Sequence, residues 1–463
     1  MARLVALALL LAIVVPATAA AEAATNDEYD EIDSDAMAGL RGAMPVVYPE
    51  STVGPVVGHA PPRPCPPLVP LPKTLQVLAP MVVPRSVAIK AASAELSLDA
   101  QTLAADLAAM NITVSATAPY TVTLSLNATA FGREAYSLAC NSSHATLVGG
   151  ADGVWWATRT LLQLFGGQPG SHSAMAATAA SAAVSITKDE PEVGFRALLV
   201  DSARVPISKA FHLEVIKRLS DLKMNAYHLH LSDDTSYNLP SNIFPNLTGG
   251  TQRTGPVLSL RDWQEIVAYA KAYHVELVPE IDMPGHSAWI LQRLPALRCP
   301  MATSDPRTYS RAYSCPLNFS PAGLNHTVEI VTQLLAEVMT IFNNSKYHHI
   351  GGDEVGENML NSGFCSSLCK ANGTYHPADC STQTRWLDTT NGSSTLSAAG
   401  RCSECLQMAK AGYHNFVQRI HRFIKSKGRT VRKRRLFAPP QSAWFKKNAI
   451  ACQDRLGTNR ETR

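Results

Sequence analysis

From Phe195 onward, short apolar runs alternate with longer stretches whose apolar residues recur every three or four positions. Arg196 to Val200 reads as an apolar strand. Ser208 then stands where it can cap a helix whose Phe211, Val215, Ile216, Leu219 and Leu222 fall at helical spacing. Ala226 to Leu231 predicts a second strand, Asp262 to Tyr273 a helix that turns Trp263, Ile266, Val267 and Ala270 inward, and Val275 to Ile281 a third strand. Val328 to Phe342 repeats the helical pattern, His348-His349-Ile350 is the fourth strand, and Phe416 to Lys427 is a fourth helix. Such alternation makes a parallel sheet. Four repeats with polar clusters at the strand ends suit a (β/α)8 TIM-type barrel over 191–428, with its chemistry at the C-terminal ends of the strands.

Ahead of it, over 64–190, the rhythm is different. Strands at Tyr120 to Leu124 and Ala135 to Leu138 and a helix from Gly153 to Leu164 predict a small α+β domain. Met1-Ala2-Arg3, the apolar run Leu4 to Val15 and the small residues after it have the three regions of a secretory signal peptide, assigned to 1–24. A membrane anchor is the alternative, but about a dozen apolar residues fall short of the roughly twenty that a span needs. Residues 25–63 read as an acidic, Pro-rich linker or processed propeptide.

Composition narrows the compartment. With 46% apolar and 17% charged residues the chain is ordinary globular material. Nine N-x-S/T sequons and ten dispersed cysteines predict a glycosylated, disulfide-bonded product of the secretory pathway, lysosomal or extracellular. Cys299 with Cys315 and Cys65 with Cys140 are candidate pairs. Cys365, Cys369, Cys380, Cys402 and Cys405 read as a disulfide-braced insertion, with a metal framework as the alternative. The net charge of +4 does not indicate a nucleic-acid partner. Residues 429–463 carry ten Lys/Arg against two Asp/Glu, so the rest of the chain is net negative and the basic character belongs to an atypical tail.

The candidate chemistry lies at the strand ends: Asp201 and Arg204 after the first, His228, His230, Asp233 and Asp234 after the second, Glu280, Asp282 and His286 after the third, Asp353 and Glu354 after the fourth. Gly351-Gly352-Asp353-Glu354 is the strongest cue, because two glycines allow close approach while adjacent carboxylates face the barrel mouth. Two neighbouring carboxylates can be held apart in proton affinity, one as an acid and one ionised, which is glycosidase chemistry. His228, His230, Asp233 and His286 could instead ligate zinc, since alternate strand residues share a face. The catalytic reading accounts for the neighbouring residues as well, and no metal or cofactor is assigned.

These motifs resemble the family 20 glycoside hydrolases, the β-N-acetylhexosaminidases. Asp201-Ser202-Ala203-Arg204 is similar to the family's first-strand motif, and Lys223 to Asp234 to its second, with Leu229 where tryptophan is usual. Val278 to His286 matches the third and His349 to Val355 the fourth. Pro70-Leu71-Pro72-Lys73 and Gly153 to Leu164 resemble the family's small N-terminal domain. The resemblance implies removal of terminal β-linked N-acetylglucosamine or N-acetylgalactosamine from oligosaccharides and glycoconjugates by a retaining mechanism in which the substrate's acetamide is the nucleophile. Glu354 would be the acid and base, Asp353 would orient the acetamide, and Asp233 with His286 would support Glu354. Arg204 would bind sugar hydroxyls, with Asp282 and His230 behind these residues. A homodimer is compatible with this reading.

The resemblance stops after the fourth helix. There the family pattern calls for a strand ending in tryptophan and an acidic residue, then three more βα units. Here Gly428-Arg429-Thr430-Val431 runs into Arg432-Lys433-Arg434-Arg435. The expectation is a barrel interrupted after four or five strands, with open edges. The alternative function is a catalytically incomplete remnant that binds sugars or serves in interactions.

Overall fold

The computed structural model describes residues 68–166, 180–250, 257–299, 316–355, 368 and 400–432. The predicted signal peptide and linker, Cys65, Cys315, most of the cysteine-rich insertion and the tail beyond 432 lie outside the described residues.

The first part of the chain forms β1 (Gln76–Val82), β2 (Ser86–Ala91), α1 (Ser97–Ala109), β3 (Thr113–Val114), β4 (Tyr120–Leu126), β5 (Tyr136–Cys140), β6 (His144–Gly149), α2 (Gly153–Leu164) and β7 (Ala180–Asp189). Its seven strands make one mixed sheet in the order β1-β7-β5-β6-β4-β2-β3. Tyr120, Val122 and Leu124 are buried along β4 while the residues between them are less so, which is the period-two signature of a half-covered strand. Helix α2 is buried on every side. A helix without a solvent face is packed between layers, and here α2 lies between this sheet and the helices that follow. Cys140 is a buried free thiol beside Tyr120 Oη (3.3 Å) and Met81 Sδ (3.8 Å), so the candidate Cys65–Cys140 pair is not formed. The cysteine points into an apolar core and serves as a small hydrophobe.

The second part forms β8 (Ala197–Asp201), α3 (Lys209–Asp221), β9 (Ala226–His230), the short β10 (Ser232–Asp233), β11 (Ser236–Tyr237) and β12 (Gly249–Gly250), α4 (Leu260–Ala272), β13 (Glu276–Glu280), α5 (Ala288–Arg293), α6 (Leu324–Ile341), β14 (Tyr347–His349), α7 (Gly400–Ser426) and β15 (Thr430–Arg432). Strands β8, β9, β13, β14 and β15 pair in parallel and in sequence order. The residues after α7, where the family pattern breaks, thus still add a strand. It pairs Tyr347 with Thr430 and His349 with Arg432.

Caps set the helix starts. Ser208 Oγ accepts from Phe211 N at 3.2 Å, and Ser259 and Asp262 form a reciprocal capping box at the head of α4. The expected inward face of α3 needs two corrections, since Leu222 at its C-terminal cap is 37% exposed and Phe211 gives way to its neighbour. Phe211 is 47% exposed, and His212 is fully buried against Tyr227 Oη (2.9 Å) and the Trp263 ring. Position 212 lies three, four and seven residues before Val215, Ile216 and Leu219 and so sits at the centre of their stripe, whereas Phe211 falls at its edge.

Arg159 of α2 joins the two parts. Its buried guanidinium meets Asp106 of α1 at 2.5 Å and Asp221 of α3 at 3.5 Å, and stacks 3.9 Å from the centre of the Trp155 ring. Trp155 Nε1 donates to Ser220 Oγ at 2.9 Å, and Tyr273 Oη donates to Asp106 at 3.0 Å. Arg159→Ala would leave two buried carboxylates short of a counter-charge and is expected to cost about 3–5 kcal/mol. Chemical denaturation of the variant against wild type measures this. A loss below about 1 kcal/mol would show that Lys217 and Tyr273 alone satisfy Asp106.

Candidate active site

Parallel pairing brings the strand-end residues to one level. Asp201 pairs with His230, His230 with Glu280, Glu280 with His349, and His349 with Arg432. Register partners project to the same face, so acid and base alternate across the first four strands, from Asp201 to His349, and Arg432 adds a second basic group at the β15 edge. Glu280, at the centre, is completely buried. Its Oε2 lies 2.5 Å from His228 Nε2 and 3.4 Å from His349 Nδ1, and its Oε1 lies 3.2 Å from His230 Nδ1. Burial opposes its charge, yet these three rings hold the carboxyl well below the usual range.

One layer closer to the mouth stands Asp233. Its Oδ2 takes His230 Nε2 at 2.9 Å and Arg204 Nη2 at 2.6 Å, and its Oδ1 takes the Asp234 backbone N–H at 2.6 Å. Burial works against its ionisation, but His230 and His286 keep it strongly acidic. His286 Nδ1 lies 3.7 Å from Asp233 Oδ1 and 3.5 Å from Asp234 Oδ2, and its Nε2 lies 3.3 Å from Glu354 Oε2. Its contacts with Asp233 and then Asp234 raise its pKa to about 11. His286 and Glu354 have φ values of +45° and +54°. Left-handed backbone at two touching non-glycine residues is strain of the kind that collects at functional sites. The Glu354 side chain is 64% exposed, the most open of the group.

Asp282 occupies the floor beneath Asp353. It accepts the Gly352 N–H at 3.0 Å, and burial, then the nearby Asp353 charge, raises its pKa to about 8. The approach is so close that a Cβ on Gly351 would lie 1.9 Å from Asp282 Oδ1, and Gly351 has φ +59°. Gly351 is therefore required by the carboxylate beneath it, while Gly352 is favoured by its φ of +91° and by Tyr413 Oη, which a Cβ there would approach to 3.2 Å.

Every residue singled out in the sequence, Arg204, His230, Asp233, Asp282, His286, Asp353 and Glu354, lies on this end of the sheet. Arg204, expected to face sugar, bonds to Asp201 (2.6 Å) and Asp233 (2.6 Å), although half its side chain is open. Glu280 was named among the strand-end groups but given no role in the site, and His349 was not among them. Their signal was their position as last residues of adjacent strands. His228, Glu280 and His349 offer three ligand atoms close together, as do Asp233, Asp234 and His286. The 2.5 Å contact of His228 with Glu280 is a hydrogen-bond length, whereas two ligands bound to one tetrahedral ion at 2.0–2.2 Å stand about 3.4 Å apart. A charged His286 has no lone pair for a metal.

The description "Glycosyl hydrolase family 20, catalytic domain" matches residues 194–433, and "Glycosyl hydrolase family 20, domain 2" matches residues 65–187. The chain belongs to glycosyl hydrolase family 20. Beta-hexosaminidase subunit A1 of Dictyostelium discoideum is 36% identical over 168 residues, 36% of this chain and 30% of that protein. Beta-hexosaminidase subunit alpha of Bos taurus is 31% identical over 170 residues, 36% of this chain and 31% of that protein. The matched part thus spans about a third of the length of these family 20 relatives. The GH20 beta-N-acetylhexosaminidase of Streptomyces coelicolor A3(2) aligns with TM-score 0.58 at 23% identity, covering 81% of this chain and 67% of its own. That likeness shows the family 20 fold, a TIM-barrel catalytic region behind an N-terminal domain. Among the described residues no helix is long and apolar enough to cross a membrane.

Asp282 gives a test of this floor. In the folded chain it keeps its proton up to about pH 8, whereas an unfolded aspartate loses it near pH 4. The native state therefore binds more protons between those limits, and the contribution of Asp282 to stability falls as pH rises from about 4 to about 8. Asp282→Asn is expected to flatten that slope. Thermal denaturation at a series of pH values reads it, and an unchanged slope would show that Asp282 is ionised in the native state.

Proposed function

We propose that this site hydrolyses terminal β-linked N-acetylhexosamine residues of oligosaccharides and glycoconjugates, with retention and with the substrate's 2-acetamido oxygen as nucleophile. The observation that carries the reading is the Asp353-Glu354 pair at the end of β14, with His286 on Glu354 at 3.3 Å. Glu354 protonates the departing oxygen and then takes a proton from water. Asp353 accepts the acetamido N–H, holds the group for attack and stabilises the oxazolinium-like intermediate. His286, anchored by Asp233 and Asp234, fixes Glu354. Arg204, braced by Asp201 and Asp233, offers its open donors to sugar hydroxyls. Family membership supports this assignment, and an enzyme that uses the substrate's own nucleophile stands outside the usual two-carboxylate scheme.

A second reading, a sugar-binding form without turnover, is favoured by one set of observations. Strands β8 and β15 are edges of the described sheet, Leu198 and Leu199 of β8 are each 43% exposed, and Glu354 is open. Under this reading the barrel is interrupted after the fifth strand and the sugar-facing walls come from additional chain.

Aryl glycosides separate the readings. A hydrolase is expected to cleave aryl β-N-acetylglucosaminides and leave aryl β-glucosides untouched, because a 2-hydroxyl cannot replace the acetamide. N-acetylglucosamine binding without cleavage would instead support the second reading. Where there is turnover, Glu354→Gln is expected to slow substrates with poor leaving groups by roughly 10²- to 10⁴-fold and activated aryl substrates far less. Asp353→Asn is expected to slow both kinds, since it acts on the nucleophile. Near-normal rates in Asp353→Asn, or a sugar trapped covalently on a protein carboxylate, would overturn the substrate-assisted mechanism.

A further inference from the structure

Both nitrogens of the buried His230 ring face carboxylates: Nε2 is 2.9 Å from Asp233 and Nδ1 is 3.2 Å from Glu280. A neutral imidazole has one N–H and could donate to only one of them. The second contact would then set two acceptors against each other in a dry interior, where an unmet acceptor is costly. Only the doubly protonated ring is held at both ends, by a hydrogen bond at Nε2 and by the attraction of an ion pair at Nδ1. Glu280 is itself fixed on its other oxygen by His228 at 2.5 Å, so it is a rigid anchor. From it runs a line of alternating acidic and basic side chains: Glu280, His230, Asp233, His286, Glu354.

We propose that Glu280 is a positioning residue of the hydrolase site: from inside the barrel it holds His230 with a proton on each nitrogen, so that His230 pins Asp233 and Asp233 aims His286 at Glu354. The inference rests on the reading of Glu354 as the acid. Glu280 touches no reacting atom. Its effect is to remove a degree of freedom, because a singly protonated His230 could present either nitrogen to Asp233 and a lone pair cannot hold a carboxylate. The surrounding charges agree with this. His230 meets Asp233 and Glu280 and pairs in register with Asp201 of β8. Glu280 meets His228 of β9 and His349 of β14, and His349 pairs in register with Arg432 of β15. Asp233 meets Arg204 and His286, and His286 also meets Asp234. Burial lowers the pKa of His230, but its interactions with the acceptor carboxylates of Asp233 and Glu280 outweigh this and raise it to about 9.

The test is imidazole ¹⁵N spectroscopy on the full chain labelled at histidine, with Glu280→Gln beside wild type. It needs no turnover, so its failure and that of the hydrolase assay are separate events. In wild type at pH 7.5, His230 is expected to carry protons on both nitrogens. In Glu280→Gln it is expected to lose one of them, becoming about a hundredfold or more easier to deprotonate. His286 is expected to deprotonate more easily too, since Asp233 is no longer pinned. The substitution replaces an ion pair with a neutral pair, so net charge near His286 is unchanged and a fall in its titration reports geometry. Should Glu280→Gln not fold, His230→Gln separates the effects. Loss of the His230 charge alone would make His286 harder to deprotonate, whereas loss of positioning makes it easier. A singly protonated His230 in wild type, or a His286 titration that is unchanged or raised in a folded variant, overturns the proposal.

Discussion

Charge alternation in a dry row is the constraint on which the rest of this site depends. Five parallel strands in register place Asp201, His230, Glu280, His349 and Arg432 side by side, and three of them are almost completely removed from water. Like charges at that spacing in a low-dielectric interior would repel by several kcal/mol. An isolated charge there would be neutralised instead. Acid next to base at the centre of the sheet allows the buried Glu280 and His230 to stay ionised together. Asp233, Arg204, His286 and Glu354 are built on top of that row, each satisfying the charge of the one below. The outermost group, Glu354, is both the most exposed and the only one that reaches the reacting bond in the proposed mechanism.

This arrangement tolerates little movement, and the neighbouring architecture limits movement from below. The far side of helices α3 and α4 is held by α2 through Arg159, Trp155, Asp106 and Tyr273. A network of that kind is no reliable source of net stability, since two hydrophobic residues could do as well. What it supplies is a single relative placement of helices, and hence of the strands they follow.

Much of this was legible in the chain because local rules and the global fold agree. Alternation of apolar runs with helical spacing marked four βα repeats, the Ser208 cap marked a helix start, and the pairing of Asp353 with Glu354 after two glycines marked the mouth. Other features depended on register, which a lone sequence does not carry. Glu280 looks like one more polar residue at the end of a strand until His228, His230 and His349 are known to converge on it. The exchange of Phe211 for His212 has a different origin. An aromatic is the obvious core candidate, and only phase relative to Val215, Ile216 and Leu219 shows that the histidine is inside. Cys140 was misread because dispersed cysteines in an apparently exported chain suggest pairs, while burial next to Met81 makes this one packing material.

The stacking of Trp155 has an optical consequence. Its indole lies between the Arg159 guanidinium, 3.9 Å from the ring centre, and the His274 imidazole, nearly parallel at 5.0 Å. His274 is held by Asp99 and Asp152, and although burial opposes its protonation their hydrogen bonds favour the charged ring. A protonated imidazole in contact accepts an electron readily from an excited indole. Trp155 should therefore be dark in the native molecule and brighten when the junction between the two sheets opens, which makes that seam visible by its own emission.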